Sequence, residues 1–547
     1  MSLLLLGKDS NIIPGVEFSE NMAVTKDKIL YLVEVLSAWQ KAGLYLLLII
    51  HLATIVYFWQ WWLDPAHINN GWTYAVNTTL IGWIMFLPWY FFFFVLRMKK
   101  PNPRLPFPAY LKAAMVVTKA PSEPLDMVLK TLNGMIWQTY PHDTWLADED
   151  PTEEIKFWCK QHGVRISTRK GVPEYNRDQW PRRKKSKEGN LAFFYDHYGY
   201  ANYDVVCQLD ADHIPGEKYL EEMIRPFADP AVGYVSAPSI CDKNAGKSWT
   251  ARSRLYAEAF LHGAQQAGHS NNFAPLCFGS HYAVRTKALR EIGGLGPELA
   301  EDHSTTLLLN AGGWKGVHAL EAEAHGDGPA NFMDAMTQEF QWSKSLFILF
   351  LTLTPRVAGK LGWRLKGQFL FSQLWYLLFG LFIIIGYFLP ILAIILATSW
   401  VNVSYVEFLI RFYPVIMSTL AVVFYLKTVG LMRPRTAKIL SWEPILFQLA
   451  RWPWVLLGIV SATVTVIRKK QFEFKVTPKG EKNEAPLPIG ALWPYALFII
   501  ASSVPALAVR DARTANGYFY FIICNIGLYL AVMMVIMVRH EYEKKYV

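Results

Sequence analysis

Two apolar stretches, residues 42–63 and 76–95, each suffice to cross a hydrocarbon layer of about 30 Å, which takes roughly 20 apolar residues. A long polar region follows, so the chain must fold in two solvents. Its 547 residues are 52% hydrophobic and 15% aromatic, more apolar than one soluble domain carries. The expectation is a membrane protein bearing a soluble domain. Arg97, Lys99, Lys100 and Arg104 close the second stretch and place that end in the cytoplasm. The first stretch begins far from Met1 without a charged start and small-residue cleavage site, so it should remain as an anchor. Ahead of it, Ile29, Leu30, Leu32, Val33, Leu36 and Trp39 interleave with Lys26, Lys28 and Lys41. That pattern suits an amphipathic helix on the membrane surface or against the soluble domain.

Spanning hydrophobicity returns at 369–398 and 408–426, while the basic stretches 432–438 and 468–482 both read as cytoplasmic. The apolar piece between them, 447–466, therefore should not cross once but lie along the interface, with Arg451, Trp452 and Trp454 at headgroup level. Residues 489–509 and 518–538 complete a last hairpin. The expected layout is an N-terminal cytosolic or interfacial segment (1–41), a transmembrane hairpin (42–97) and a cytosolic domain (98–366). A second hairpin (367–432), interfacial helices (433–467), a loop (468–486), a third hairpin (487–538) and a cytosolic tail (539–547) follow, with about six crossings in all. Much of the +10 net charge lies at these membrane edges, which excludes nucleic acid as the preferred partner. The five cysteines show no CxxC pairing, and the four in the soluble region should be reduced thiols.

The soluble region has the punctuation of an α/β domain. Residues 115–117 read as a buried strand leading through Thr118 and Glu123 to a helix, and 205–209 lead in the same manner to Asp210-Ala211-Asp212. Carboxylates at i and i+2 beyond a buried strand face one crevice, where oxygen ligands suit Mg²⁺ or Mn²⁺ bridging a diphosphate; a polar turn explains the tripeptide about as well. Glu301-Asp302 follows the glycine-rich turn 293–296, and one of the pair, Asp302 by preference, should act as general base. An N-terminal helix cap is a compatible reading. Gln338 and Trp342 sit one helical turn apart, an amide and an indole able to hold a sugar ring. Residues 474–480, Phe-Lys-Val-Thr-Pro-Lys-Gly, form a lysine-bearing loop beside the membrane. In this order the parts imply a polymer-making glycosyltransferase.

These motifs resemble those of the processive family 2 glycosyltransferases, and most closely the bacterial cellulose synthase group, over most of the chain. The resemblance implies an α/β GT-A-type cytosolic glycosyltransferase domain inserted between transmembrane α-helices. It assigns Thr118, Glu123 and Asp148 to nucleotide binding, Lys187 of Lys187-Glu188-Gly189-Asn190 to the diphosphate, and Asp210 and Asp212 to the metal. Gly279 and Ser280 would lie beneath the acceptor, with Asp302 as base. Residues 474–480 are similar to the FxVTxKG gating loop, with Phe474, Val476, Thr477 and Lys479 closing over the nucleotide sugar. One position departs: the family's QxxRW carries an arginine where this chain has Gln341, and neutral glutamine cannot replace its charge. Lys344 is the expected substitute, as a point charge without a bidentate fork.

The resemblance implies transfer of glucose from UDP-glucose to a growing β-glucan with inversion, in a cell membrane, with Mg²⁺ or Mn²⁺ as cofactor. Linkage stays open between β-1,3, β-1,4, mixed-linkage and β-1,6. The expected partners are a lipid bilayer and either an accessory export subunit or further copies of the chain in a homo-oligomer, and no cyclic di-GMP-binding domain is expected after the last helix. The alternatives are a non-processive lipid-linked glycosyltransferase, a hyaluronan or chitin synthase, and a transporter whose soluble domain only binds a nucleotide.

Overall fold

The computed structural model describes residues 30–297, 300–468, 486–508 and 517–546. The expected gating loop, with Phe474, Val476, Thr477 and Lys479, lies outside the described residues. Strand β1 (Leu32–Glu34) precedes helices α1 (Ala38–Trp62) and α2 (Gly71–Val95), after which β2 (Lys99–Pro101) pairs antiparallel with β1. This corrects the expected amphipathic helix before the first span. Ser37 and Gln40 form a reciprocal cap that starts α1 at Ala38, and the residues before it satisfy their backbone groups against β2 instead.

The α/β domain opens with β3 (Ala113–Lys119), α3 (Leu125–Ile136), β4 (His142–Asp148), α4 (Glu153–Gln161), β5 (Arg165–Ser167) and α5 (Lys187–Phe194). Next come β6 (Val205–Asp210), β7 (Ile214–Pro215), β8 (Val232–Ser236), β9 (Ser239–Ile240) and α6 (Trp249–Phe260). It closes with β10 (His281–Arg285), α7 (Glu301–Ala311), β11 (Lys315–His318) and β12 (Ala324–His325). Seven strands form one mixed sheet in the order β11-β8-β10-β6-β3-β4-β5, and β7, β12 and β9 form a second, small one. Every residue of β3 is buried, as a central strand covered on both faces requires. Met115 and Val117 pack with Leu132, Leu146 and Leu209 on one side, while Ala114 and Val116 pack with Trp145, Val206 and Tyr282 on the other. A mixed sheet covered on both faces and set between long apolar helices is the GT-A-type architecture expected from the sequence.

Helix α8 (Phe332–Thr352) leads out of the domain to α9 (Trp363–Ile395), α10 (Tyr405–Thr428), α11 (Trp442–Ile467), α12 (Trp493–Ala508) and α13 (Gly517–Tyr546). Among the described residues, six helices are long and apolar enough to cross a membrane: α1, α2, α9, α10, α11 and α13. Helix α11 differs from the other five in that 44% of its most apolar window is buried inside the protein, against 22–33% for them. It lies along α8, and no room separates the two. A Cβ on Gly458 would meet the Ser343 hydroxyl and come within 2.6 Å of the Phe340 carbonyl. Residues 539–546, expected as a separate tail, continue α13.

Replacing Gly458 with valine should force α8 and α11 apart and cost about 1–3 kcal/mol, the usual range for overpacking a close contact. A lower thermal midpoint of the detergent-solubilised protein would show this, with alanine falling in between. An unchanged midpoint for both variants would mean the helices do not meet as described.

Candidate active site

The register of the parallel strands gathers the polar groups at one edge of the sheet. Thr118 on β3 stands opposite Asp210 on β6, and Lys119 opposite Asp148 on β4. Strand β10 runs antiparallel between β6 and β8, so the residues just before it arrive at the end where β6 finishes. The Asp210 N–H donates to the Ser280 carbonyl at 2.7 Å as a result. A cavity of about 1880 Å³ opens there, walled by Thr118, Glu123, Lys187, Asp210, Asp212, Gly279, Ser280, Glu301, Asp302, Gln338, Gln341 and Trp342. It continues to Phe371, Trp375 and Tyr376 on α9 and to Tyr90 and Phe91 on α2. Most of the site residues expected from the sequence therefore meet in one space.

Two do not reach its wall. Asp148 is fully buried, 3.5 Å from the Lys119 ammonium and accepting from the Asp150 N–H, while its neighbour Glu149 lines the cavity. Lys344 is buried, its backbone close to Gly458 of α11, and it is not among the residues that line the cavity. The expected lysine-bearing turn 187–190 is the first turn of α5. Ser186 caps that helix, and the Glu188 carboxylate accepts from the Arg182 and Arg183 N–H groups at 2.8 and 3.0 Å. Lys187 reaches Asp210 Oδ1 at 2.7 Å and also donates to the Gly279 carbonyl.

Glu301 and Asp302 occupy the first turn of α7, entered from a loop whose Gly293 and Gly294 have positive φ. A Cβ on Gly279 would lie 3.5 Å from Asp302 Oδ2 and 3.9 Å from Glu301 Oε1, so glycine there keeps the approach to both carboxylates open. Burial raises the affinity of both for protons. For Glu301 the Asp302 charge adds to it against Lys187, and for Asp302 the His303 N–H, Lys187 and the Gly279 N–H oppose it. The Asp302 Oδ1 accepts from the His303 N–H at 2.7 Å. One proton thus tends to remain on the pair at a pH where free carboxylates have lost theirs.

Several lining residues were not foreseen. Arg254 and Glu258 on α6, with His262 in the wide π turn that continues it, follow one another at intervals of four, one helix face. That spacing was the available signal. The Arg254 guanidinium lies 4.4 Å from the centroid of the Trp342 ring, donates from Nε to both Glu258 oxygens at 3.1 Å, and gives Nη1 to Gln338 Oε1 at 3.0 Å. Burial pushes the Glu258 carboxyl up, but Arg254 and His262 override it and hold the group down at about 2. Arg451 of α11 also lines the cavity, paired with Glu339 at 3.1 Å.

Residues 205–426 match Glycosyl transferase family group 2. The chain is 25% identical over 253 residues to the cellulose synthase 1 catalytic subunit of Komagataeibacter xylinus, covering 44% of this chain and 32% of that one. It is 25% identical over 198 residues to a UDP-forming cellulose synthase catalytic subunit of Dictyostelium discoideum, covering 35% of this chain and 18% of that one. Residues 205–426 thus carry the sequence of a family group 2 glycosyl transferase domain, and the chain is similar to cellulose synthase catalytic subunits over part of its length. The matched parts span a third or less of either relative's length. Among solved structures, a mannosyltransferase from Pyrobaculum calidifontis, solved with GDP-mannose and Mn²⁺, aligns at 15% identity with a TM-score of 0.43, covering 73% of this chain and 98% of that one.

The glycosyltransferase domain places the two ends of its carboxylate chemistry in different surroundings. Asp210 is ion-paired by Lys187, whereas Glu301 is buried with an Oε1 that has no hydrogen-bond partner among the described residues. A carboxyl that holds its proton more tightly when folded contributes stability in acid that is lost as pH rises through its folded value. Glutamine at 301 removes that loss. Glu301→Gln should match wild type in thermal midpoint near about pH 5 and exceed it near about pH 9. Thermal melts across that range check this, and a constant difference would refute the shared-proton account.

Proposed function

We propose that this protein is a processive, inverting glycosyltransferase that polymerises glucose from UDP-glucose into a β-glucan and passes the chain into the membrane helices. The observation that carries the reading is one continuous cavity that joins a diphosphate-type site, a raised-affinity carboxyl pair and an indole to aromatic faces on two apolar helices. Asp302 takes the proton from the acceptor hydroxyl, since its burial brings its proton affinity toward that of a useful base. Trp342 would offer a flat face to the acceptor sugar, and the lack of a side chain at Gly279 leaves the approach to Asp302 and Glu301 open. The relatives named as UDP-forming cellulose synthases support the choice of donor.

Asp210 and Asp212 would hold a divalent cation, Mg²⁺ or Mn²⁺. Both carboxylates line the cavity, and among the described residues no third His, Cys, Asp or Glu completes a protein-only site. Two oxygen donors with positions left for diphosphate oxygens and water suit such an ion. When bound, it would stabilise negative charge on the departing diphosphate. Lys187 holds Asp210 in place and supplies a second positive charge at the same point.

The domain layout belongs to this reading, with the α/β domain cytosolic and α11 lying along the membrane interface in the plasma membrane. The buried Arg451–Glu339 pair supports that position for α11, because an ion pair tied to the α/β domain is costly in hydrocarbon. Glycosidic linkage follows from which acceptor hydroxyl faces Asp302. A homo-oligomer or an export protein would guide the product outward.

Asp302→Asn keeps the side-chain shape and removes the base. It should lower polymer synthesis from radiolabelled UDP-glucose in lipid by about 10²–10⁴-fold while UDP binding persists. Digestion of the wild-type product with linkage-specific glucanases then identifies the bond. Near wild-type synthesis by the variant would remove Asp302 from the role, and short lipid-linked products from wild type would favour the non-processive alternative.

A further inference from the structure

Arg254 stands where the site has no family motif to explain it. Helix α6 brings it over one face of Trp342, 4.4 Å from the ring centroid, and its Nη1 donates to Gln338 one turn earlier on α8. Both residues offered to the acceptor are therefore held by one guanidinium. Its own position is fixed in turn by two hydrogen bonds from Nε to Glu258, whose Oε2 lies 3.5 Å from His262 Nε2. The His262 ring accepts from the Ser239 N–H at 3.3 Å, and the Ser239 hydroxyl accepts from Ser280 at 2.8 Å. A polar chain thus ties the indole to the segment beneath Asp210.

The charge balance indicates which substrate this arginine serves. A guanidinium already paired with an ionised carboxylate brings little net charge to a diphosphate, so Arg254 is poorly suited to replace the arginine absent at Gln341. It does offer a flat surface that locks the indole by a cation–π contact. Its Nη2 has no protein partner among the hydrogen bonds of the described residues, while Arg254 itself borders the cavity.

We infer that Arg254 is a positioning residue for the acceptor: it fixes the Trp342 and Gln338 side chains and gives its remaining N–H groups to hydroxyls of the glycan end, leaving the donor diphosphate to other residues. This inference rests on the proposed polymerase reading. Its consequence is a division of labour in which loss of Arg254 affects chain extension and not nucleotide affinity.

The test uses the full-length protein in lipid and two variants. Arg254→Ala would leave the buried Glu258 with only His262 beside it, so it is avoided. Arg254→Lys keeps the ion pair but loses the planar fork, and the double variant Arg254→Gln with Glu258→Gln removes both charges together. UDP affinity in the presence of Mn²⁺, donor KM and product length at saturating donor are measured for each. The expected result is unchanged UDP affinity and donor KM, with product length or acceptor use reduced about tenfold in the double variant and less in Arg254→Lys, in line with loss of a buried cation–π contact and its hydrogen bonds. Weaker UDP binding with normal product length would overturn the inference and make Arg254 a diphosphate ligand. Wild-type behaviour of the double variant in all three measurements would also overturn it. Failure of wild type itself to make polymer, with UDP still bound, would instead count against the polymerase reading.

Discussion

Strand β10 runs against its neighbours, and the active-site edge of the sheet depends on that reversal. Because it lies antiparallel between β6 and β8, the chain must reach it from the end where β6 stops, which lays Gly279 and Ser280 beside Asp210. A parallel strand in that place would have delivered those residues to the opposite edge. Lys187 can then touch both Asp210 and the Gly279 carbonyl, and the first turn of α7 can present its two carboxyls across a glycine that leaves them uncovered. Backbone pairing in the sheet thus fixes the separation of groups that never touch one another.

The second organising contact is between α8 and α11. Helix α8 carries Gln338 and Trp342 toward the cavity on one face and is pressed against α11 on the other, with Glu339 bound to Arg451 across the join. The buried ion pair matters for geometry more than for stability, since the desolvation of both partners offsets much of their attraction. Its directional bonds fix how α8 is rotated and therefore which way the indole faces. Arg254 reinforces that rotation from the third side.

Local chemistry in the sequence revealed what depends on local chemistry. The buried strand ending in Asp210, the acidic pair at the start of α7 and the apolar stretches that become α1, α2, α9, α10 and α13 are written in contiguous residues and appear where the pattern placed them, whereas 489–509 forms only the 16-residue α12 and 447–466, expected along the interface, forms α11, which is long enough to cross. Long-range pairing was not visible in this way. Leu32 to Glu34 has a helical-looking alternation, yet a partner strand nearly seventy positions later in the chain claims its backbone. Lys344 has the right charge and spacing to serve the cavity, but its backbone packs close to Gly458 of α11 and the residue is not among those lining the cavity. Arg254 was missed for the opposite reason: it belongs to no motif, and only the fold brings α6 over Trp342. Side chains act where tertiary contacts aim them, and a linear pattern records position without aim.

The absence of a side chain at Gly458 has a wider effect than stability. With backbone and hydroxyl of α8 filling the space its Cβ would need, the two helices have no slack between them. Helix α11 exposes Ile445, Leu457, Val460 and Ile467, and α8 carries Trp342 to the cavity. Under the proposed reading, a bilayer that tilts or lifts α11 would carry α8 with it, which would make the membrane a mechanical setting for where the acceptor end rests.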